Sequence, residues 1–179
     1  HGVTHILAGW DHLLFMAALV LAARTFWDLI KVVTAFTLAH SITLTLAALG
    51  YVSLPSRLVE SVIAASIIVA AISNLIRGNI DSKGWSKPWI MAFAFGLIHG
   101  FGFASVLADL GLPPNALVTA LIGFNIGVEL GQLAIVAIFL PLAFWLRATK
   151  FYQVGVFKWG SVLIALMALY WFVQRAFDL

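Results

Sequence analysis

The fold this sequence predicts is all-α: a polytopic membrane protein of six transmembrane helices in one bundle, with both termini outside. Three observations predict it. Hydrophobic residues make up 63% of the 179-residue chain and charged residues only 9%, with a mean hydropathy of +1.08. A water-soluble domain of this size has too little interior to hide so much apolar surface, whereas a bilayer accepts it. The apolar residues gather into stretches near 4 to 24, 30 to 50, 56 to 76, 88 to 109, 115 to 147 and 154 to 175, and about 20 apolar residues suffice to cross the hydrocarbon core as a helix. The breaks between them carry turn chemistry: Arg24 to Lys31, Gly50 to Ser56 with Pro55, Arg77 to Pro88 with Gly78 and Gly84, and Leu110 to Asn115 with Pro113 and Pro114.

The first stretch opens HGVTHILAGWDHLLF. On a continuous helix His5 and His12, seven apart, share one stripe, and Asp11 projects about 100° away, where it can ligate or hold an imidazole. His1 would extend the stripe upward, but a chain terminus frays. The second stretch carries FTLAHSITL, residues 36 to 44, in which Thr37, Ser41 and Thr43 surround His40. Hydroxyls in membrane helices often bond their own backbone, which suits Ser41 and Thr43, whereas His40 needs a partner elsewhere. Glu60, near the outer end of the third stretch, reads either as an entry vestibule or as a solvated interfacial carboxylate.

The fourth stretch carries FGLIHGFGFAS, residues 95 to 105, with Gly96 and Gly100 flanking His99; small residues four apart let another backbone approach closely. The fifth is long, which predicts tilt, extension beyond the bilayer or an interfacial first turn. It spaces Gly123, Gly127 and Gly131 by four and sets Asn125, Glu129 and Gln132 on an adjoining face. Ser41, Asn125, Gln132 and Glu60 form a secondary polar lining.

Lys and Arg set the orientation. Arg24, Lys31, Arg77, Lys83, Lys87, Arg147, Lys150 and Lys158 follow the first, third and fifth stretches, and the other side holds Arg57 and Arg175, so the first set is cytoplasmic. Trp10, Trp27, Trp85, Trp89 and Trp159 are candidate interfacial anchors. No linker divides the chain, so residues 1–179 read as a single transmembrane domain. Its start lacks Met and a cleavable leader pattern, from which a processed or truncated start is expected. The absence of cysteine excludes disulfides, thiolate metal sites and cysteine nucleophiles. A net charge of +3 without a basic run argues against nucleic acid as a partner.

With this topology, a rise of about 1.5 Å per residue places His12 about 12 Å below the outer face, His40 and His99 near the middle of their helices, and Glu129 roughly 20 Å inward. A charge at such depth costs about 2.5–3.5 kcal/mol on insertion scales, so these groups are expected to face the bundle interior. For any one of them an interhelical hydrogen bond is the plain alternative. As a set, His5, Asp11, His12, His40, His99 and Glu129 make a sulfur-free ligand collection suited to Ni²⁺, Co²⁺, Zn²⁺ or Cu²⁺. Soft Cu⁺ is disfavoured, because Met16, Met91 and Met167 are scattered singly.

HILAGWDHLLF, FTLAHSITL, FGLIHGFGFAS and GFNIGVELGQL together resemble the second branch of the HupE/UreJ family, over nearly the whole chain. The resemblance implies a nickel or cobalt permease of the bacterial inner membrane, associated with metalloenzyme maturation, with histidine motifs in the first and a later helix and an extracytoplasmic segment upstream of residue 1. The helix-1 pattern HPxxGxDH matches at His5, Gly9, Asp11 and His12, with Ile6 in place of Pro. The second pattern, FHGxAHG, maps onto 98 to 104, where His99 and Gly100 match and Phe103 replaces the second histidine; His40 and Glu129 are the candidate replacements. Gly9, His12 and His40 also echo Gly96, His99 and Glu129 at similar spacing, as two inverted three-helix halves would.

The leading expectation is therefore transport of a divalent metal ion through a His/carboxylate site near the bilayer midplane. Two other classes fit the same residues: an intramembrane zinc hydrolase with Asp11 or Glu129 activating water, and a subunit that delivers metal to, or scaffolds, a maturation partner enzyme. A serine protease is excluded, since Ser105 lacks the nucleophile setting and a base of its own.

Overall fold

A membrane helix runs on until its backbone leaves the helical region, and the first apolar stretch does so at Gly9. The computed structural model describes residues 2–23, 25–77, 88–102 and 114–178, with side chains from residue 116 in the last segment. All regular structure among them is helical. α1 (Gly2–Ala8) ends at Gly9, whose φ of −81° and ψ of 95° are extended, and α2 (Trp10–Ala22) departs at 79° to it. The single helix expected over 4 to 24 is thus a bent pair. The bend keeps its backbone pairing, because Gly9 N donates to His5 O at 2.9 Å and Leu13 N to Gly9 O at 3.0 Å.

What draws α1 sideways is α6 (Pro114–Leu146). A Cβ on Gly2 would overlap Phe124 O, and one on Gly127 would lie 3.1 Å from Gly2 Cα. That is a backbone-on-backbone seam which larger residues would forbid.

α3 (Phe26–Ala48) starts on Thr25, whose hydroxyl accepts the Asp28 N–H at 3.0 Å, satisfying one orphan donor of the first turn. It stops before Gly50, whose φ of +77° suits glycine. α4 (Ser56–Arg77) follows Pro55, and α5 (Pro88–Gly102) has proline at its first position, where the missing N–H costs nothing. The 33 residues of α6 span about 50 Å, more than the hydrocarbon core of about 30 Å. A π-helical stretch, Phe151–Trp159, continues into α7 (Gly160–Phe177).

α3 packs most broadly on α5, α4 on α7, and α1 on α6. One apolar cluster, including Phe15, Phe36, Ile67, Ala92 and Ile164, joins α2, α3, α4, α5 and α7. A second, with Ile6, Leu44, Phe124 and Val128, joins α1, α3 and α6. Leu38, Ile126, Ile138, Leu163 and Leu166 point outward, an apolar girdle suited to acyl chains.

Of the six expected spans, four are long and apolar enough to cross a membrane by themselves: Phe26–Ala48, Ser56–Arg77, Ala116–Leu146 and Phe151–Phe177. The bent pair α1 and α2 makes a fifth if it counts as one span, and α5 is a shorter apolar helix over its described residues. Arg24, Gly78, Lys83, Gly84, Trp85, Lys87, Phe103, Ser105 and Pro113, together with His1, lie outside the described residues.

Candidate metal centre

Four imidazoles meet where α1, α2, α3 and α5 converge. His5 and His12 have ring centroids 4.6 Å apart, His5 and His40 6.2 Å, His12 and His40 6.1 Å, and His12 and His99 5.2 Å. In the first three a ligand nitrogen of each lies within 4.8 Å of the others, close enough for one ion to draw them together at ordinary metal–nitrogen distances of about 2.0–2.1 Å. His12, His40 and His99 are buried and His5 is half-buried.

The bend brings His5 and His12 together, rather than a shared stripe on one straight helix. It also sets His12 only two residues into α2. Gly9 is the pivot: a Cβ there would lie 2.8 Å from His5 O and 2.9 Å from His12 Nδ1.

Aromatic rings close the site. His40 stacks between Phe36 and Phe124 at interplanar angles of 24° and 19°, and His99 lies 5.2 Å from Phe15 and 5.3 Å from Phe36. These walls exclude water without offering competing ligands. Nε2 of His12 and Nδ1 of His99 are buried and meet no hydrogen-bond geometry among the described residues, and the buried His40 ring has the Asn125 side chain as a polar neighbour. Buried polar atoms usually find partners, so two on one set of facing rings point to a ligand.

Ser66 fixes the fourth ring. Its hydroxyl donates to Ile63 O at 2.6 Å, and Nε2 of His99 stands 3.1 Å from Oγ. In the tautomer with Nε2–H donating to Oγ, the lone pair lies on Nδ1 and is free for a metal ion. Ser66 escaped the sequence reading because nothing distinguishes it there from other membrane-helix serines.

The carboxylates stand elsewhere. Asp11 takes a two-pronged grip from Arg175, with contacts of 3.0 and 3.2 Å, and Arg175 Nε lies 3.7 Å from the Glu60 carboxylate. Arg57 donates to Ala176 O, so the starts of α2 and α4 and the end of α7 share one charged rim. Glu129 accepts from Thr34 Oγ1 at 3.3 Å in a groove between α3 and α6.

Gln132 is fully buried and its Oε1 accepts from Thr37 Oγ1 at 2.8 Å, while Asn125 Nδ2 donates to Leu121 O at 2.9 Å. Ser41 and Thr43 bond their own helix as expected, to Thr37 O at 2.6 Å and to Ala39 O at 3.3 Å. Among the six predicted ligands, then, the structure gathers the four histidines and leaves Asp11 and Glu129 with partners of their own.

Gly96 and Gly100 bring α5 onto α3: a Cβ on either would come within 2.5 Å of a backbone oxygen, Phe36 O or His40 O respectively. The glycine three residues before His99 therefore serves packing within a helix, whereas the one three before His12 breaks a helix. The sequence echo between the two does not extend to their roles.

Compared with known proteins, residues 1–175 match a family model described as HupE / UreJ protein. No curated protein and no solved structure matches the chain significantly.

Proposed function

The chain belongs to the HupE/UreJ family, and from that premise we propose that it carries a divalent transition-metal ion, nickel or cobalt before zinc, across the bacterial inner membrane. The observation that carries this reading is the cluster of His5, His12 and His40, with ligand atoms within 4.8 Å of one another and His99 alongside. Nitrogen donors alone, in an aromatic enclosure, suit a borderline metal ion better than a hard one. In this reading six crossings place both termini outside, and the ion approaches from the rim of Asp11 and Glu60, passes to the imidazoles and leaves inward. The ion is cargo, so affinity is tuned for release as well as capture.

The association of the family with metal uptake supports the same reading. A hydrolase is less well supported, because a metal-bound water needs a nearby general base. Asp11 is held by Arg175, and Glu129 faces a different groove.

Uptake of ⁶³Ni²⁺ and ⁵⁷Co²⁺ into liposomes holding the purified protein tests the proposal. Saturable uptake, reduced to the protein-free level by His12→Ala and His40→Ala, is expected. Folded protein that takes up neither ion, nor zinc, would overturn it.

A further inference from the structure

The ring of His40 is fully buried, and Phe36 and Phe124 lie nearly parallel to it at interplanar angles of 24° and 19°. Stacking of this kind fixes the plane of an imidazole. It does not choose which ring nitrogen carries the proton, because an aromatic face presents the same surface to both. In a neutral imidazole that choice decides which nitrogen has a lone pair to give a metal ion, and the hydrogen bond made by the other nitrogen is what settles it.

A polar group stands at hand on α6, one residue beyond Phe124. Asn125 lines the same groove as Thr37 and Ser41, which bracket His40 on α3, and its side chain is a polar neighbour of the His40 ring. The two ends of its amide are not equivalent. Nδ2 donates to Leu121 O at 2.9 Å, and a carbonyl can only accept, so the nitrogen end is held toward its own helix. Oδ1 is buried and takes no other hydrogen bond among the described residues, and a buried amide oxygen calls for a donor. The neighbouring hydroxyls have spent theirs: Thr37 gives its proton to Gln132 Oε1 and Ser41 gives its own to Thr37 O. The N–H of His40 is the donor that this turn of α3 has left to offer.

We propose that Asn125 is the positioning residue of His40: its Oδ1 takes the ring N–H, which fixes the tautomer and leaves the other nitrogen's lone pair facing His5 and His12. Phe36 and Phe124 set the plane of the ring, and Asn125 sets its rotation within that plane. Partners of this kind, outside the ligand set, orient the imidazoles of metal sites. Ser66 on α4 stands in the same relation to His99, so two rings of the cluster take a polar partner from a helix other than their own. That the lone pair receives a transition-metal ion rests on the reading above; the tautomer does not.

Purified protein carrying ¹⁵N-labelled histidine is held in nanodiscs without metal, and the His40 ring signals, assigned by their loss in His40→Ala, are compared in the wild type, Asn125→Leu and Asn125→Asp. The ¹⁵N shifts separate protonated from unprotonated ring nitrogens and so distinguish the tautomers. The wild type is expected to show a single one. Asn125→Leu, similar in size but without the acceptor, should show both, and its Ni²⁺ affinity should fall about tenfold or more with helix content kept. Asn125→Asp, which keeps an oxygen there, should return the single tautomer and most of the affinity. Both tautomers in the wild type overturn the proposal. So does an Asn125→Leu protein that keeps the wild-type tautomer, even with weaker Ni²⁺ binding, since a side chain that only packs gives that result. Loss of the tautomer with Ni²⁺ affinity unchanged overturns it as well. A wild type that holds the single tautomer but binds no Ni²⁺ would leave Asn125 as the partner of His40 and remove the metal reading instead.

Discussion

Ser66 holds its hydroxyl 3.1 Å from Nε2 of His99 and so steadies that ring, although it touches none of the predicted cargo. Partners that orient a metal-binding histidine typically change affinity about 10–100-fold when removed. Ser66→Ala is therefore expected to weaken Ni²⁺ or Co²⁺ binding by about tenfold, measured by competition with a chelating dye, with little change in melting temperature. His40→Ala, which removes a whole ligand, should weaken binding more. Asp11→Asn should leave metal stoichiometry unchanged, since its carboxylate is turned to Arg175, while the loss of this part-buried, two-pronged pair lowers stability. A lower stoichiometry in that variant would return Asp11 to the ligand set. Ligand imidazoles must be neutral, so protons compete with metal and affinity should fall as pH is lowered, with proton release on binding in weak buffer as the check. The four histidines were legible in the sequence because an imidazole inside an apolar stretch is rare enough to need a reason. The fate of the carboxylates was not, because the choice between metal, Arg175 and Thr34 depends on which helices become neighbours.

Glycines set the geometry at the scale of elements. Gly100 lets α5 approach until its own Cβ position is 2.5 Å from His40 O, so the helix carrying His99 is registered directly on the helix carrying His40. Gly100→Ala forces the two helices apart. Overpacking of this kind typically costs about 1–3 kcal/mol, and the separation should also loosen metal binding. A melting curve and a metal titration on the same preparation test both, and unchanged behaviour in each would show that the seam tolerates a methyl group. The seam was legible in advance, since glycines four apart beside a histidine carry a packing meaning in a membrane helix. The break at Gly9 was not. Glycine is common within membrane helices, and only the docking of α1 along Gly127 shows that this one leaves the helix. Gly9→Ala, whose methyl group would lie 2.9 Å from His12 Nδ1, should displace His12 and reduce metal affinity more than its effect on stability would suggest.

Across the whole molecule, the charged rim and the helix order constrain one another. Asp11, Glu60, Arg175 and the carbonyl of Ala176 bonded by Arg57 tie the starts of α2 and α4 to the end of α7, so these ends share a face. Between the loop after α3 and the loop after α6 lie α4, α5 and α6, and if all three cross, those loops face opposite sides. α5 decides this, because its described part is 15 residues long, short of the about 20 that span a bilayer. The absence of native cysteine gives a clean readout. Single cysteines at exposed Ser53 and Thr149 are to be labelled with a membrane-impermeant maleimide on intact cells, then after permeabilisation. Opposite accessibility is expected, with Ser53 reached from outside and Thr149 only after permeabilisation, since Arg147 and Lys150 flank the latter and basic loops stay in the cytoplasm. Labelling of both from one side would mean that the segment from α5 to α6 turns back within the membrane. His99 would then reach the other imidazoles on a re-entrant hairpin, and the six-crossing arrangement would give way to one with fewer spans around the same four rings.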